Sequence, residues 1–311
     1  MKNCLAPIVI FTYRRLINQT IESLLSNELA QDSELYIFSD GSKNENDLED
    51  VIEVRKYLQT IEGFKSIKII ESEVNKGLAD SIIDGVTQVI DKYGKVIVLE
   101  DDLIVSTDFL EYMNGALNFY EKDKKIWSIS GYGPKLPCLA NYNDDIYLTV
   151  RGSSWGWATW KDRWNTIDWH IKDWNTFQKN KDLIEKFNLG GNDLYKMLEL
   201  QMLGKIDSWA IRWCYNQFKF DSYTVYPKKS KIINDGFSDE KGTHNSGVNN
   251  KWITELDNKT ITFNDTTIKK EIIECFQHYH NLSLITKIGY FLKKNTGYKI
   301  AKKFYKYLKN Q

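Results

Sequence analysis

A chain of 311 residues with 42 basic and 42 acidic side chains has a formal net charge of zero, and 42% hydrophobic content is ample for a buried core in one or two globular domains. Mean hydropathy is −0.47 and no run reaches the roughly 18 apolar residues a membrane-spanning helix needs, so such a helix is excluded. Cys4, Cys138, Cys214 and Cys275 are scattered, with no CxxC pair and no close histidine, which argues against a disulfide framework or structural zinc and makes a reducing cytosol the default compartment. The opening MKNCLAPIVIFTYRR runs from a short apolar stretch straight into basic residues without a small-residue cleavage site, so no secretory signal is expected. Four Asn-x-Ser/Thr sequons, beginning at Asn18, Asn258, Asn264 and Asn281, are read as chance in an Asn-rich chain. The zero charge is unevenly spread: residues 276–311 hold eight lysines and no acid, leaving the first 275 residues at about −8.

In chain order, Ile8 to Thr12, Leu35 to Ser39, Ile67 to Ile70 and Val96 to Leu99 read as strands, too uniformly apolar for a sheet with one wet face. Ile17, Ile21, Leu24 and Leu25 mark one helix face between them, and Ile82, Val86, Val89, Ile90 and Tyr93 another. This alternation predicts an α/β fold, a mostly parallel sheet flanked by helices. After the fourth strand comes EDD, then Ser106 or Thr107 as N-cap with Asp108 in the first turn of a helix through Phe109, Met113, Ala116, Leu117 and Tyr120. Eight of the ten tryptophans follow between Trp155 and Trp213, in what reads as a loop-rich continuation of the same domain. The expected organisation is one domain over 1–275, split into a ligand-binding half (1–125) and a second half (126–275), and a basic amphipathic tail over 276–311.

Ligands of open parallel sheets gather outside the carboxyl ends of the strands. Glu100, Asp101 and Asp102 stand at such an end, and three adjacent carboxylates repel one another unless a cation such as Mg²⁺ or Mn²⁺ neutralises them. The plain alternative is an acidic approach to the next helix. Asp40, in YIFSDGS, opens onto the same edge and could accept hydrogen bonds from a nucleobase or ribose, or simply shape an Asp-Gly turn. Arg14 and Arg15 follow the first strand and could hold a pyrophosphate or sit in solvent.

A first strand followed by Arg, a strand ending in SDGS, a helix beginning NKGLADS and a strand ending in EDD together resemble the nucleotide-diphospho-sugar transferases of the GT-A fold. The stretch EDDLIVSTDFLEYM is similar to the animal N-acetylglucosaminyltransferase I family, while RGSSWGWATWKDRW and NDGFSDEKGTH resemble bacterial transferases of O-antigen and capsule clusters. The resemblance spans roughly residues 5 to 247 and is most specific around EDD. It implies a metal-dependent glycosyltransferase using a nucleotide-diphospho-sugar donor, with UDP as the expected nucleotide. In it Asp102 would bind Mn²⁺ or Mg²⁺, Glu100 would complete the acidic motif, Asp101 would contact the donor's ribose or sugar, Asp40 the base, and Arg14 the nucleotide or its diphosphate. Ser81 stands where the animal enzymes carry a histidine, a departure that bears on donor contacts.

Inversion at the anomeric carbon requires a base to take the acceptor hydroxyl's proton. Asp207, in GKIDSWAIRW, resembles the acid-plus-tryptophan stretch that carries it in the animal enzymes, and a helix N-cap is its other reading. His244, in GTHN, would reach the diphosphate or metal if the surrounding segment closes over the donor, or be a lone surface histidine. Most tryptophans are expected in the core, with Trp155 and Trp157, around Gly156, as candidate sugar-stacking residues of a donor or acceptor pocket.

The expected acceptor is a glycan or a lipid-linked oligosaccharide of surface polysaccharide synthesis, met at the inner face of the cell membrane. Residues 283–311 interleave lysines with Ile285, Ile288, Phe291, Leu292, Ile300, Phe304 and Leu308, a pattern suited to an anionic membrane surface. No nucleic-acid partner is expected, because the basic residues outside the tail are outnumbered by acids. Two other classes compete. A sugar-phosphate nucleotidyltransferase should carry a Gly-rich basic signature near its N-terminus, and Pro7 to Leu16 has no glycine; a Trp-rich carbohydrate-binding module gives no reason for acids at two strand ends.

Overall fold

The computed structural model describes residues 4–236, 254–282, 286, 289, 290 and 294. Its first half alternates strand and helix: β1 (Ile8–Thr12), α1 (Asn18–Leu25), β2 (Glu34–Ser39), α2 (Leu48–Leu58), β3 (Ser66–Glu71), α3 (Leu78–Tyr93) and β4 (Lys95–Glu100). A short β5 (Leu103–Val105), α4 (Phe109–Phe119), β6 (Ile126–Ser130), β7 (Ile146–Thr149) and β8 (Trp157–Trp160) follow. Four-residue helices α5 (Lys161–Trp164) and α6 (Trp174–Phe177), then α7 (Lys181–Phe187), α8 (Leu194–Met202) and α9 (Trp209–Lys219), lead to β9 (Tyr223–Pro227), β10 (Ile232–Asn234) and α10 (Lys270–Tyr279).

Eight strands form one sheet in the order β3-β2-β1-β4-β8-β6-β9-β7, with β3, β2, β1 and β4 parallel and β8 antiparallel to both its neighbours. The uniformly apolar strands are explained by burial on two faces. Ile8, Ile10, Leu35, Ile37, Ile97 and Leu99 point into a core shared with α1 and α4, while Val9, Phe11, Tyr36, Val96 and Val98 point into a second core beneath α3. α3 buries Ile82, Val86, Val89 and Ile90 on one face, as their spacing predicts, and stops at Gly94, whose φ of 77° is the left-handed C-terminal conformation glycine adopts without strain.

The second half is more regular than its composition suggests, since β6, β7, β8 and β9 extend the same sheet. Its indoles fill the α3 side: Trp157 stacks on Trp164 and Trp209, and Trp213 lies against Trp127, Trp157 and Trp164. Two expectations shift. The N-cap position of α4 is Asp108 rather than Ser106 or Thr107, and the Asp108 carboxylate instead meets Ser106 Oγ (2.7 Å) and the buried Lys231 Nζ (2.6 Å). The expected boundary at 275/276 falls inside α10, where Phe276 is 1% exposed against the body.

Candidate active site

Because β1, β2 and β4 are parallel and in register, their carboxyl ends open on one edge of the sheet. Four sequence-predicted acids stand there, Asp40 after β2 and Glu100, Asp101 and Asp102 at the end of β4, and Asp40 meets a different environment from the others. Asp40 Oδ1 accepts the main-chain N–H groups of Gly41 (2.9 Å) and Lys76 (2.8 Å); Oδ2 accepts that of Gly77 (2.9 Å) and the Asn75 amide (3.1 Å). A carboxylate offers about four lone-pair sites, and here all are taken by protein. Asp40 therefore fixes the loop that opens α3, with Ser81 in that helix's first turn, rather than presenting a free acceptor to a base. Gly41 is required at its position because a Cβ would lie 2.5 Å from the Val74 carbonyl carbon.

The two arginines after β1 diverge. Arg14, expected at the diphosphate, donates to Asp47 Oδ1 (2.9 Å) in a partly exposed pair, and Asp47 also accepts from the Tyr13 hydroxyl (2.8 Å). Arg15 faces the acids instead, with Nη1 3.5 Å from Asp101 Oδ1 and 3.4 Å from Asp102 Oδ2. Sequence reasoning named both arginines and settled on the other one; which of two adjacent side chains turns inward depends on the path of the loop.

The EDD segment is braced from three sides. The Thr20 hydroxyl of α1 donates to the Asp101 carbonyl (3.3 Å), Val105 N–H donates to Ser23 Oγ (3.1 Å), and β5 pairs antiparallel with β10, so that Asp235 N–H donates to the Asp102 carbonyl (2.9 Å). At Gly236 a Cβ would come within 2.3 Å of Asp102 Oδ2, so the backbone passes directly beside that carboxylate. Lys231, fully buried, anchors this arrangement: its Nζ donates to Asp108 Oδ2 and to the carbonyls of Asp257 (2.8 Å) and Lys259 (2.6 Å), while its own carbonyl accepts Ser106 N–H (2.9 Å).

Desolvation, then the charge of Asp102, pushes the Asp101 carboxyl up to about 7, with Arg15 and the main-chain N–H groups of Tyr13 and Asp101 opposing the shift. Burial, then Asp102 and Asp101, raises Glu100 well above the ordinary carboxylate value. Such shifts mark carboxyl groups held out of water beside like charges, which Arg15 offsets only in part. Among the described residues no three His, Cys, Asp or Glu side chains converge as a metal-binding group, and Asp101 and Asp102 stand there as a pair of carboxylates beside Arg15. That donor set fits Mg²⁺ or Mn²⁺, which take one or two carboxylates together with substrate phosphates, and Arg15 already occupies the space with positive charge.

Trp209, which begins α9, stacks on Trp157, and Trp157 pairs with Val98, two residues before Glu100. Asp207 precedes that helix, with its side chain 62% exposed and its Oδ1 3.2 Å from Arg212 Nη2. Ser208, not Asp207, is the N-cap, accepting Ile211 N–H (3.3 Å). Trp155 is half-buried with its ring edge-on to Tyr132 at 4.7 Å. Trp157 is 1% exposed and walled by three other indoles, so its place is in the core and it offers no face to a sugar. His244 lies outside the described residues.

Residues 8–134, from β1 to just beyond β6, match the model of glycosyl transferase family 2. That segment is similar to glycosyl transferase family 2 over about two fifths of the chain. No curated protein matches it. Among solved structures, galactosyltransferase LgtC in complex with donor and acceptor sugar analogs is 12% identical, covers 71% of this chain and 72% of its own, and gives a TM-score of 0.35. UDP-glucose pyrophosphorylase complexed with UDP-glucose is 11% identical over 74% of this chain and 93% of its own, at 0.37. The apo form of glycosyltransferase GlyE of Streptococcus pneumoniae TIGR4 is 13% identical over 94% and 64%, at 0.32. Scores this low carry no argument about this chain; the likeness to the family rests on residues 8–134.

Proposed function

We propose that this enzyme transfers a sugar, N-acetylglucosamine or a related hexose, from a UDP-linked donor to a glycan or lipid-linked oligosaccharide of surface polysaccharide synthesis, with a divalent cation and with inversion. The supporting observation is the pair Asp101 and Asp102 beside Arg15 at the carboxyl edge, a partly compensated negative site next to a fixed guanidinium. Asp101 and Asp102 would hold Mn²⁺ or Mg²⁺, with Glu100 adding to the negative field. When bound, the cation supplies Lewis-acid stabilisation of the charge on the departing diphosphate. Arg15 adds a guanidinium at the same oxygens, and Arg14 and His244 are candidates for outer donor contacts.

Asp207 accepts the acceptor hydroxyl's proton, its carboxylate oriented by Arg212, and attack from that side inverts the anomeric centre. Trp155 lines the sugar pocket, presenting an indole braced edge-on by Tyr132. Asp40 acts at one remove, by holding the loop that opens α3. Residues 283–311, with eight lysines, recruit the enzyme to an anionic membrane surface at the cytoplasmic face; most of them lie outside the described residues. No helix among the described residues is long and apolar enough to cross a membrane.

The test is thermal stabilisation by UDP-, GDP-, CMP- and dTDP-sugars with and without Mn²⁺ or Mg²⁺. A UDP-sugar should stabilise the protein only with the cation, and Asp102→Ala should lose the effect. Stabilisation that is indifferent to chelator would overturn the metal assignment. Asp207→Asn should keep donor binding while losing roughly a hundredfold or more of kcat, and a product that retains configuration would overturn the role given to Asp207.

A further inference from the structure

The third hydrophobic cluster lies under α10. That helix carries Ile272, Cys275, Phe276 and Tyr279 on one stripe, at the i, i+3, i+4, i+7 spacing, and packs them on Leu136, Leu139 and Tyr226. Cys138 sits in the 3-10 turn Pro137–Leu139 at the same contact. The two cysteines are far apart in sequence, yet both pack on this cluster where α10 meets the turn, which brings them into one neighbourhood. Both are reduced and half-buried, whereas Cys4 is exposed and Cys214 is buried against the Gly152 carbonyl (3.7 Å).

We propose that Cys138 and Cys275 form a site of reversible oxidation, at which a small neutral disulfide reagent cross-links α10 to the turn Pro137–Leu139. Burial and the neighbouring Cys275 push the Cys138 thiol up to about 12, which leaves Cys275 to take the first step. Its thiolate attacks one sulfur of the reagent, breaking that S–S bond and releasing one thiolate, which takes up a proton. Cys138, on losing its proton, then attacks the Cys275 sulfur of the mixed disulfide and expels the second thiol. The protein loses two protons and two electrons, and the reagent disulfide gains them. A neutral reagent is specified so that charge does not decide its access to the half-buried pair. The cross-link fixes α10 against the wall where the Tyr279 and Tyr132 hydroxyls already meet at 2.8 Å, and the Tyr132 ring in turn braces Trp155.

The full chain is incubated with 2-hydroxyethyl disulfide, quenched in acid, and mapped by non-reducing peptide mass spectrometry. The expected product is a linked 138–275 peptide pair and an intact protein lighter by about 2 Da at these two residues, with a Tm that rises and returns to its starting value on reduction. Cys4 serves as the control, since an exposed thiol without a second cysteine beside it should carry only a mixed disulfide. Cys138→Ser and Cys275→Ser should each abolish the link, the first leaving a mixed disulfide at Cys275 and the second leaving Cys138 largely unreacted. Should either variant fold poorly, the wild-type map decides alone. Mixed disulfides at both Cys138 and Cys275 without a link, or reaction at Cys4 with neither of them touched, overturns the proposal.

Discussion

The ends of β2 and β4 start from the same signal, an acid where a buried strand reaches the carboxyl edge, and they end in opposite states. At β2, Asp40 has its carboxylate filled by three main-chain N–H groups and an amide, so its charge is absorbed by the loop 75–77. At β4, Asp101 and Asp102 share one guanidinium at 3.4 to 3.5 Å, and burial, then the charge of Asp102, pushes the Asp101 carboxyl up to about 7 despite Arg15. A carboxylate whose lone pairs the protein has satisfied builds structure, and one left under-compensated is available to a ligand.

This contrast can be broken most severely at Asp102. Asp102→Ala should lower kcat by at least about a hundredfold, the scale for losing a group that stabilises developing charge, while Tm holds or rises because like-charge repulsion is relieved. Initial-rate assays paired with calorimetry check both parts. Asp40→Ala should do the reverse, destabilising the fold by roughly 2–3 kcal/mol because buried main-chain donors lose their acceptor. Chemical denaturation measures that, and an Asp40→Ala protein as stable as wild type would mean that water replaces the carboxylate without cost.

The pH dependence sharpens the same point. Asp101 moves from an ordinary 3.8 to about 7 on folding, so the native state binds its proton more tightly than the unfolded chain. The stability that this proton supplies is fully present below about pH 3.8 and is lost as pH rises through about 7, and Glu100 shifts in the same direction. Thermal melts of metal-free protein should therefore show a decline over this window that flattens in Asp101→Asn. The smallest effect is expected at Arg14: its partly exposed pair with Asp47 contributes under about 1 kcal/mol, so Arg14→Ala should alter stability little. Arg15→Ala should weaken donor binding more than Arg14→Ala does, as a direct titration of the two variants would reveal.

Much of this was written locally in the chain. Strands buried on both faces announce themselves as continuous apolar runs, α3 by its 3.6-residue stripe, and the active edge by acids placed directly after a strand. What escaped sequence reasoning depends on partners distant along the chain. The donors that consume Asp40 lie 35 to 37 residues away, the strand that supports Asp102 returns from residues 232–234, and Lys231 clamps segments that no local pattern connects. Trp155 and Trp157 look alike in sequence, yet strand β8 sends one into a wall of indoles and leaves the other half-buried beside Tyr132. The sequence by itself determined which segments must be buried and where acids meet the sheet edge, because hydrophobic periodicity and residue chemistry act within a few residues. Only the tertiary structure decided which acids keep unspent charge, which arginine faces them and which cysteines become neighbours, because hydrogen-bond satisfaction and side-chain contact are settled by groups brought together across the whole chain.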